Sequence, residues 1–160
     1  TGSLGQGLSY GVGMALAARV NKLDYKVYVM LGDGELQEGQ NWEAVTAAAH
    51  FRLDRLIAIV DNNRIQCDGV TREVMNVEPI AEKFGIFGFD VKKVDAADFE
   101  AIDAAFCGFD HTNGRPKCIV ADSVKGKGVS FMENKVCWHG GAPGREEYER
   151  AIQEIRGTEA

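Results

Sequence analysis

Two short apolar runs, each followed directly by a cluster of small polar residues, constrain the fold of this chain most. The run at residues 26–31 precedes Gly-Asp-Gly at 32–34, and the run at 55–60 precedes Asp-Asn-Asn at 61–63. Runs of this length that are rich in valine and isoleucine are typical of strands buried in a parallel sheet. If the two strands pair across the intervening helix, both polar clusters lie at the same carboxyl-terminal edge, where open parallel sheets bind ligands.

The rest of the sequence continues this alternation of strands and helices. Further strands are predicted at 89–94 and 117–122, and helices near 38–51, 78–86, 98–107 and 145–156. The pattern indicates an α/β fold with a mostly parallel sheet and helices on both faces, formed by residues 1–160 as a single domain. The helical stripes that we expect to be buried are Trp42, Val45 and Ala49, and Phe99, Ile102 and Phe106.

The residues at the two predicted strand ends suit a divalent metal and a phosphate group. A magnesium-class ion prefers hard oxygen ligands, and Asp33 with an asparagine carboxamide provides them. Gly32 and Gly34 have no side chains, so a backbone N–H between them is able to approach a phosphate oxygen closely. The spacing of the clusters therefore predicts a metal and diphosphate site at this edge.

A glycine-rich segment opens the chain and leads into an apolar helical pattern. Its glycines at 5 and 7 resemble a dinucleotide-binding fingerprint, but that motif requires a third glycine where Tyr10 stands. No strand precedes the segment in this sequence. The segment is therefore interpreted as a glycine-rich turn that feeds a helix packed closely on the sheet.

Charge and cysteine spacing exclude several functions. The chain has 18 basic and 24 acidic residues and no basic stripe, so we expect no nucleic-acid partner. No apolar run is long enough to cross a bilayer, so no membrane partner is expected. The four cysteines form no CxxC pair, which indicates reduced thiols and a cytoplasmic location.

Four segments resemble motifs of transketolase, a thiamine-diphosphate enzyme, and they occur in the family's order. They are TGSLGQG at 1–7, LGDGELQEG at 31–39, DNN at 61–63 and WHGGAP at 138–143. The resemblance covers nearly the whole chain and implies the diphosphate-type thiamine-diphosphate-binding fold. The chain is expected to be the N-terminal domain of a transketolase or the N-terminal subunit of a split one. Because Thr1 stands inside a motif, we expect the fold to be incomplete at its N-terminus.

The resemblance also implies how a cofactor is held. Asp33 and Asn63 give side-chain oxygens to the metal, and Ile65 gives its backbone carbonyl oxygen. The metal is expected to be Mg²⁺, with Ca²⁺ or Mn²⁺ as alternatives. Gly34 meets the diphosphate of thiamine diphosphate through its N–H, beside Gly32.

Further roles follow from the same resemblance. Gly2 offers its carbonyl oxygen to the aminopyrimidine amine, and Leu4 packs against the coenzyme rings. His139 reaches the diphosphate and the reacting carbon of the sugar, as suits a group that titrates near neutral pH. Glu38 resembles a glutamate near the subunit interface, in an acidic network between coenzyme sites. His139 and Glu38 are the candidate catalytic residues.

The implied activity is the transfer of a two-carbon ketol unit between sugar phosphates, as in the pentose phosphate pathway. The expected partner is a pyrimidine-binding domain or a C-terminal transketolase subunit, in a homodimer or heterotetramer. Two alternatives remain open: a fragment that binds thiamine diphosphate without turnover, and a related enzyme such as dihydroxyacetone synthase or 1-deoxyxylulose-5-phosphate synthase. The Leu-Gln-Glu-Gly at 36–39 favours transketolase over the last of these.

Overall fold

The computed structural model describes residues 2–157, so Thr1 of the opening motif lies outside the described residues. Helices and strands alternate along the chain, with two short 3-10 turns at Gly34–Gln37 and Val136–Trp138. The helices are α1 (Gln6–Val20), α2 (Gly39–His50), α3 (Thr71–Met75), α4 (Ile80–Ile86), α5 (Phe99–Cys107) and α6 (Arg145–Gly157). The strands are β1 (Val27–Gly32), β2 (Leu56–Asn62), β3 (Ile65–Gln66), β4 (Gly69–Val70), β5 (Asp90–Asp95) and β6 (Lys117–Asp122).

Four strands form one parallel sheet in the order β1-β2-β6-β5, and β3 and β4 form a small antiparallel pair. The predicted pairing of β1 with β2 is confirmed, and its register places Gly32 beside Asp61. The register of β2 with β6 places Asn62 beside Asp122. Three strand ends therefore meet at one edge of the sheet.

Helices cover both faces of the sheet, which confirms the predicted fold class. The larger core lies on one face, where α1, α2 and α4 pack on side chains such as Leu56 and Val120. The smaller core lies on the other face, where Ala105 of α5 packs with Phe109 and Ile119. Adjacent residues of β6 belong to different cores because successive side chains of a strand point to opposite faces.

The predicted stripe of α2 is confirmed, and that of α5 is wrong at its first position. Val45 is fully buried, and Trp42 and Ala49 pack against the larger core. Phe99, in contrast, is 82% exposed, and the buried residue of α5 is Ala105. Phe99 is the first residue of its helix and lies beyond the small core that the later turns of α5 cover. Within residues 2–157, no helix has the length and apolarity needed to span a membrane.

A close contact between α1 and β1 makes one glycine of α1 sensitive to substitution. A Cβ atom on Gly11 would lie 2.4 Å from Cγ2 of Val29 and 3.2 Å from Cδ1 of Leu56, whereas a Cβ on Gly13 would meet nothing within 4 Å. We expect Gly11→Ala to lower the free energy of unfolding by about 1–3 kcal/mol through overpacking. The matched change Gly13→Ala should be neutral or stabilising by up to about 1 kcal/mol, because alanine favours helix. Urea denaturation of both variants tests this, and equal effects would contradict the packing of α1 on β1.

Candidate active site

A cleft of about 390 Å³ opens at the carboxyl-terminal edge of the sheet. Its walls contain every predicted site residue except Gly2, namely Leu4, Gly32, Asp33, Gly34, Glu38, Asn63, Ile65 and His139. Glu35, Gln37, Gln66, Cys67 and Asp68 complete the lining. Gly2 is exposed two residues before Leu4. The structure therefore brings together residues from four separated parts of the sequence, and their roles toward a ligand stay predictions.

Asp33 lies at the floor of the cleft, where β1 ends and a 3-10 turn begins. The residue is only 2% exposed, and its backbone N–H donates to the carbonyl oxygen of Asp61 over 3.1 Å. Its Oδ2 atom accepts a hydrogen bond from the backbone N–H of Arg64 at 2.9 Å. The carboxylate is thus fixed between the ends of two neighbouring strands.

Burial raises the pKa of the Asp33 carboxyl above its usual range, and the nearby charge of Asp61 acts in the same direction. The nearby Thr71 hydroxyl and the backbone amides of Gly34 and Arg64 oppose this shift without cancelling it. The ionised carboxylate therefore lacks full compensation from the protein alone. A bound cation would supply it.

Asn63 lies in the tight loop between β2 and β3. Its amide nitrogen donates to Oδ2 of Asp61 at 2.9 Å, and its Oδ1 atom accepts from the backbone N–H of Ile65 at 3.0 Å. Between them, Arg64 adopts a left-handed conformation with φ of 65°. An amide oxygen has two lone pairs, so Oδ1 of Asn63 keeps one acceptor site after binding Ile65. That site is available to a metal.

Polar contacts between strand ends hold this loop in place. Oδ1 of Asp61 accepts from the hydroxyl of Ser123. Oδ1 of Asp122 accepts from the side-chain amide of Asn62 and from the guanidinium of Arg64, each at 2.8 Å. Hydrogen bonds therefore join the ends of β2 and β6 beside the cleft, which limits the movement of Asn63.

Glu35 is a site residue that the sequence patterns do not identify. Its Oε1 atom accepts from the backbone N–H of Gly5 at 2.9 Å, and its Oε2 atom accepts from the backbone N–H of Gly32 at 3.2 Å. One carboxylate thus joins the opening loop to the end of β1. The available signal was the glutamate that directly follows the Gly-Asp-Gly triplet, but nothing in its spacing indicates these partners.

A second unpredicted contact joins Gln37 to Gln66 of β3. The amide nitrogen of Gln37 donates to Oε1 of Gln66 at 2.6 Å and to the carbonyl oxygen of Met75 at 2.9 Å. A Cβ atom on Gly34 would lie 3.1 Å from Cβ of Gln66. Glycine at position 34 therefore allows the β3 segment to approach the 3-10 turn closely.

His139 and Glu38 line the mouth of the cleft, and both are exposed. His139 follows the 3-10 turn Val136–Trp138, and its backbone N–H donates to the carbonyl oxygen of Val136 at 2.9 Å. The indole of Trp138 donates to the carbonyl oxygen of Phe131 at 3.1 Å, which anchors the loop. The imidazole is therefore presented to solvent at the cleft from a fixed backbone.

The arrangement defines a class of protein. A buried carboxylate, a carboxamide oxygen and glycine backbone meet at the carboxyl ends of parallel strands, which is typical of an α/β domain that binds a phosphate-bearing cofactor through a divalent cation. The comparison with known families gives the particular one. The chain matches the family described as transketolase, thiamine diphosphate binding domain, over residues 1–159. It belongs to the transketolase family, as the N-terminal thiamine-diphosphate-binding domain.

Individual relatives agree with this assignment. The chain is 46% identical over 155 residues to one of the subunits of the apulose-4-phosphate transketolase of Phocaeicola vulgatus, covering 97% of this chain and 55% of that protein. It is 38% identical over 156 residues to the transketolase of Rattus norvegicus, covering 97% and 25%. The crystal structure of Campylobacter jejuni transketolase superimposes with a TM-score of 0.89 at 32% identity, covering 96% and 25%. The chain thus spans about half of the subunit-type relative and a quarter of the long transketolases.

The raised pKa of Asp33 predicts a stability effect in the ligand-free protein. The folded-state pKa of Asp33 lies above its unfolded value. The free energy of unfolding therefore falls as pH rises through the interval between these two pKa values, because the buried carboxyl ionises there. The loss persists at neutral pH. Asp33→Asn removes the charge and keeps an acceptor for Arg64. We expect its midpoint of thermal unfolding at pH 7 to exceed that of the wild type, with the difference shrinking at acidic pH.

Asp110 provides the control for this experiment. Hydrogen bonds from the hydroxyl and the backbone N–H of Thr112 lower the pKa of the Asp110 carboxyl. Ionised Asp110 therefore stabilises the folded state at pH values above its unfolded pKa. Asp110→Asn should therefore not raise the unfolding midpoint at pH 7. A midpoint for Asp33→Asn below that of the wild type across the whole pH range would contradict a raised pKa of the Asp33 carboxyl.

Proposed function

We propose that the protein containing this chain is a transketolase that moves a two-carbon ketol unit between sugar phosphates, and that this chain holds its thiamine diphosphate and Mg²⁺. The observation that carries the proposal is the convergence of Asp33, Gly34, Asn63 and His139 on one cleft in a member of the transketolase family. Ca²⁺ or Mn²⁺ suits the same oxygen ligands.

The residues present fit a divalent cation. Asp33 offers a buried carboxylate whose charge the fold compensates only in part. Asn63 offers an oxygen with a free lone pair, and Ile65 adds its backbone carbonyl from the same cleft. We assign the metal to these three residues, with diphosphate oxygens and water completing the coordination.

The other residues are assigned to the coenzyme and substrate. Gly34 binds the diphosphate through its N–H beside Gly32, whose absent side chain leaves open space within 4 Å. Leu4 packs against the coenzyme rings, and the carbonyl oxygen of Gly2 accepts from the aminopyrimidine. When bound, thiamine diphosphate supplies a nucleophilic carbon and an electron sink for cleaving the bond beside a ketose carbonyl.

His139 has a position suited to proton handling at the mouth of the cleft. Its exposed imidazole is free to donate to a phosphate oxygen or to the oxygen of a reacting sugar, and the anchored backbone of the loop orients it. Glu38, exposed at the start of α2, is assigned to the interface with a second coenzyme site. These two residues therefore act at the open side of the cleft.

A partner is part of the proposal. The relative from Phocaeicola vulgatus is named as one of the subunits of its enzyme, which supports a second polypeptide that supplies the pyrimidine-binding domain. The carboxylate that activates the aminopyrimidine is assigned to that partner, in a homodimer of longer chains or a heterotetramer of split ones. The cysteines support a cytoplasmic location, since all four in the sequence are free thiols in the structure.

The metal assignment predicts a loss of cofactor binding in one variant and its retention in a matched one. Asp33→Ala removes the buried carboxylate, so we expect the affinity for thiamine diphosphate with Mg²⁺ to fall by more than about 100-fold. Asp68→Ala removes an exposed carboxylate from the same cleft and should change the affinity little. Titration calorimetry on the chain assembled with its partner measures both. Unchanged affinity in Asp33→Ala would remove the metal assignment.

The need for a partner predicts that the purified chain has no ketol-transfer activity alone and gains it when the pyrimidine-domain polypeptide is added. Xylulose 5-phosphate and ribose 5-phosphate serve as general substrates, and apulose 4-phosphate is included because a relative at 46% identity is named for it. Turnover by the chain alone would refute the proposal of a divided site. Coenzyme binding without turnover in the assembled complex would favour the non-catalytic alternative, and activity confined to other acceptors would favour a sister ketol enzyme.

A further inference from the structure

Glu35 connects the two ends of the cleft. One oxygen of its carboxylate binds the backbone N–H of Gly5, directly after Leu4, and the other binds the backbone N–H of Gly32, directly before Asp33. A carboxylate accepts at both oxygens, so both contacts are satisfied by one side chain. Hydrogen bonds of this charged kind are stronger than those between neutral groups.

The backbone that carries Glu35 is itself fixed. Its carbonyl oxygen accepts from the side-chain amide of Asn41 at 2.7 Å and from the backbone N–H of Glu38 at 3.1 Å. Asn41 is fully buried in α2. The carboxylate of Glu35 therefore reaches outward from a rigid turn.

The Gly5 side of this contact has little freedom. Gly5 has a left-handed φ of 81°, and a Cβ atom there would lie 2.9 Å from Cβ of Glu38. It caps α1 without any side-chain hydrogen bond, and the Glu35 carboxylate is an anion beside this helix N-terminus, where negative charge is favourable. The Glu35 carboxylate therefore holds the start of α1 against the 3-10 turn.

We propose that Glu35 is a positioning residue that sets the separation between the opening loop and the end of β1. The inference rests on the proposed function, in which the opening loop meets the coenzyme rings and the end of β1 meets the diphosphate. A ligand that touches both ends depends on their separation. A ligand that touches only the end of β1 does not.

Thiamine diphosphate touches both ends of the cleft and inorganic diphosphate touches only the end of β1. The binding of each, with Mg²⁺, is measured by calorimetry on the chain assembled with its partner. Glu35→Gln presents one acceptor and one donor, so either Gly5 or Gly32 loses its hydrogen bond. We expect the affinity for thiamine diphosphate with Mg²⁺ to fall about tenfold, the effect of one lost hydrogen bond to a charged group. The affinity for inorganic diphosphate with Mg²⁺ should fall less, because this ligand does not touch the opening loop. Glu43→Gln, on the exposed side of α2, is the matched control and should change neither.

A second variant distinguishes the effect of the length of the Glu35 side chain from the effect of its charge. Glu35→Asp keeps the carboxylate but is shorter by one methylene, so it should weaken thiamine diphosphate binding selectively, as Glu35→Gln does. Equal weakening of both probes, or a lower unfolding midpoint with unchanged coenzyme affinity, would overturn the positioning role. If the wild-type complex binds neither probe, the proposed function itself fails, which is a different result from wild-type binding that the Glu35 variants leave intact.

Discussion

The parallel pairing of β1 with β2 is the constraint on which the site depends. Its register places Gly32 beside Asp61, so the turn after β1 and the loop after β2 leave the sheet as neighbours. The backbone N–H of Asp33 continues this pairing by donating to Asp61. A slip of one residue would reverse the direction of every side chain in one strand and separate the carboxylate from Asn63. The core that α1 and α2 build against these strands therefore stabilises the register and, through it, the cleft.

The aspartates around this edge differ in how fully neighbouring groups compensate their negative charge. Asp122 and Asp61 each accept hydrogen bonds from neighbouring side chains, and they hold the loop after β2. Asp33 receives hydrogen bonds too, yet burial still raises the pKa of its carboxyl. A fold that only had to be stable would gain by replacing this group with a neutral one. A buried carboxylate of this kind is the expected feature of a site whose compensating charge arrives with a ligand.

Much of this organisation follows from the sequence because it depends on local pattern. Apolar runs of strand length and their spacing predict the parallel sheet, and glycine beside aspartate marks the strand end. The contacts of Glu35 could not be predicted in this way, since they join residues distant in sequence through side-chain reach rather than periodicity. The amide pair of Gln37 and Gln66 is of the same kind. Phe99 fails for a different reason, because helical spacing identifies a face but not how far the core extends beneath it.

The charge of the cleft determines how a diphosphate could enter it. Among the described residues that line it, Asp33, Glu35, Glu38 and Asp68 carry carboxyl groups and none is a lysine or arginine. A diphosphate alone would meet like charges at short range, with no lysine or arginine in this lining to offset them. In the proposed function, a divalent ion at Asp33 would offset part of this negative charge where the diphosphate binds, since a bound cation is often the largest charge in such a site. Metal and diphosphate are therefore expected to bind as a coupled pair, each raising the affinity for the other by the same factor. The acidic cleft then has a low affinity for anions that arrive without a metal ion.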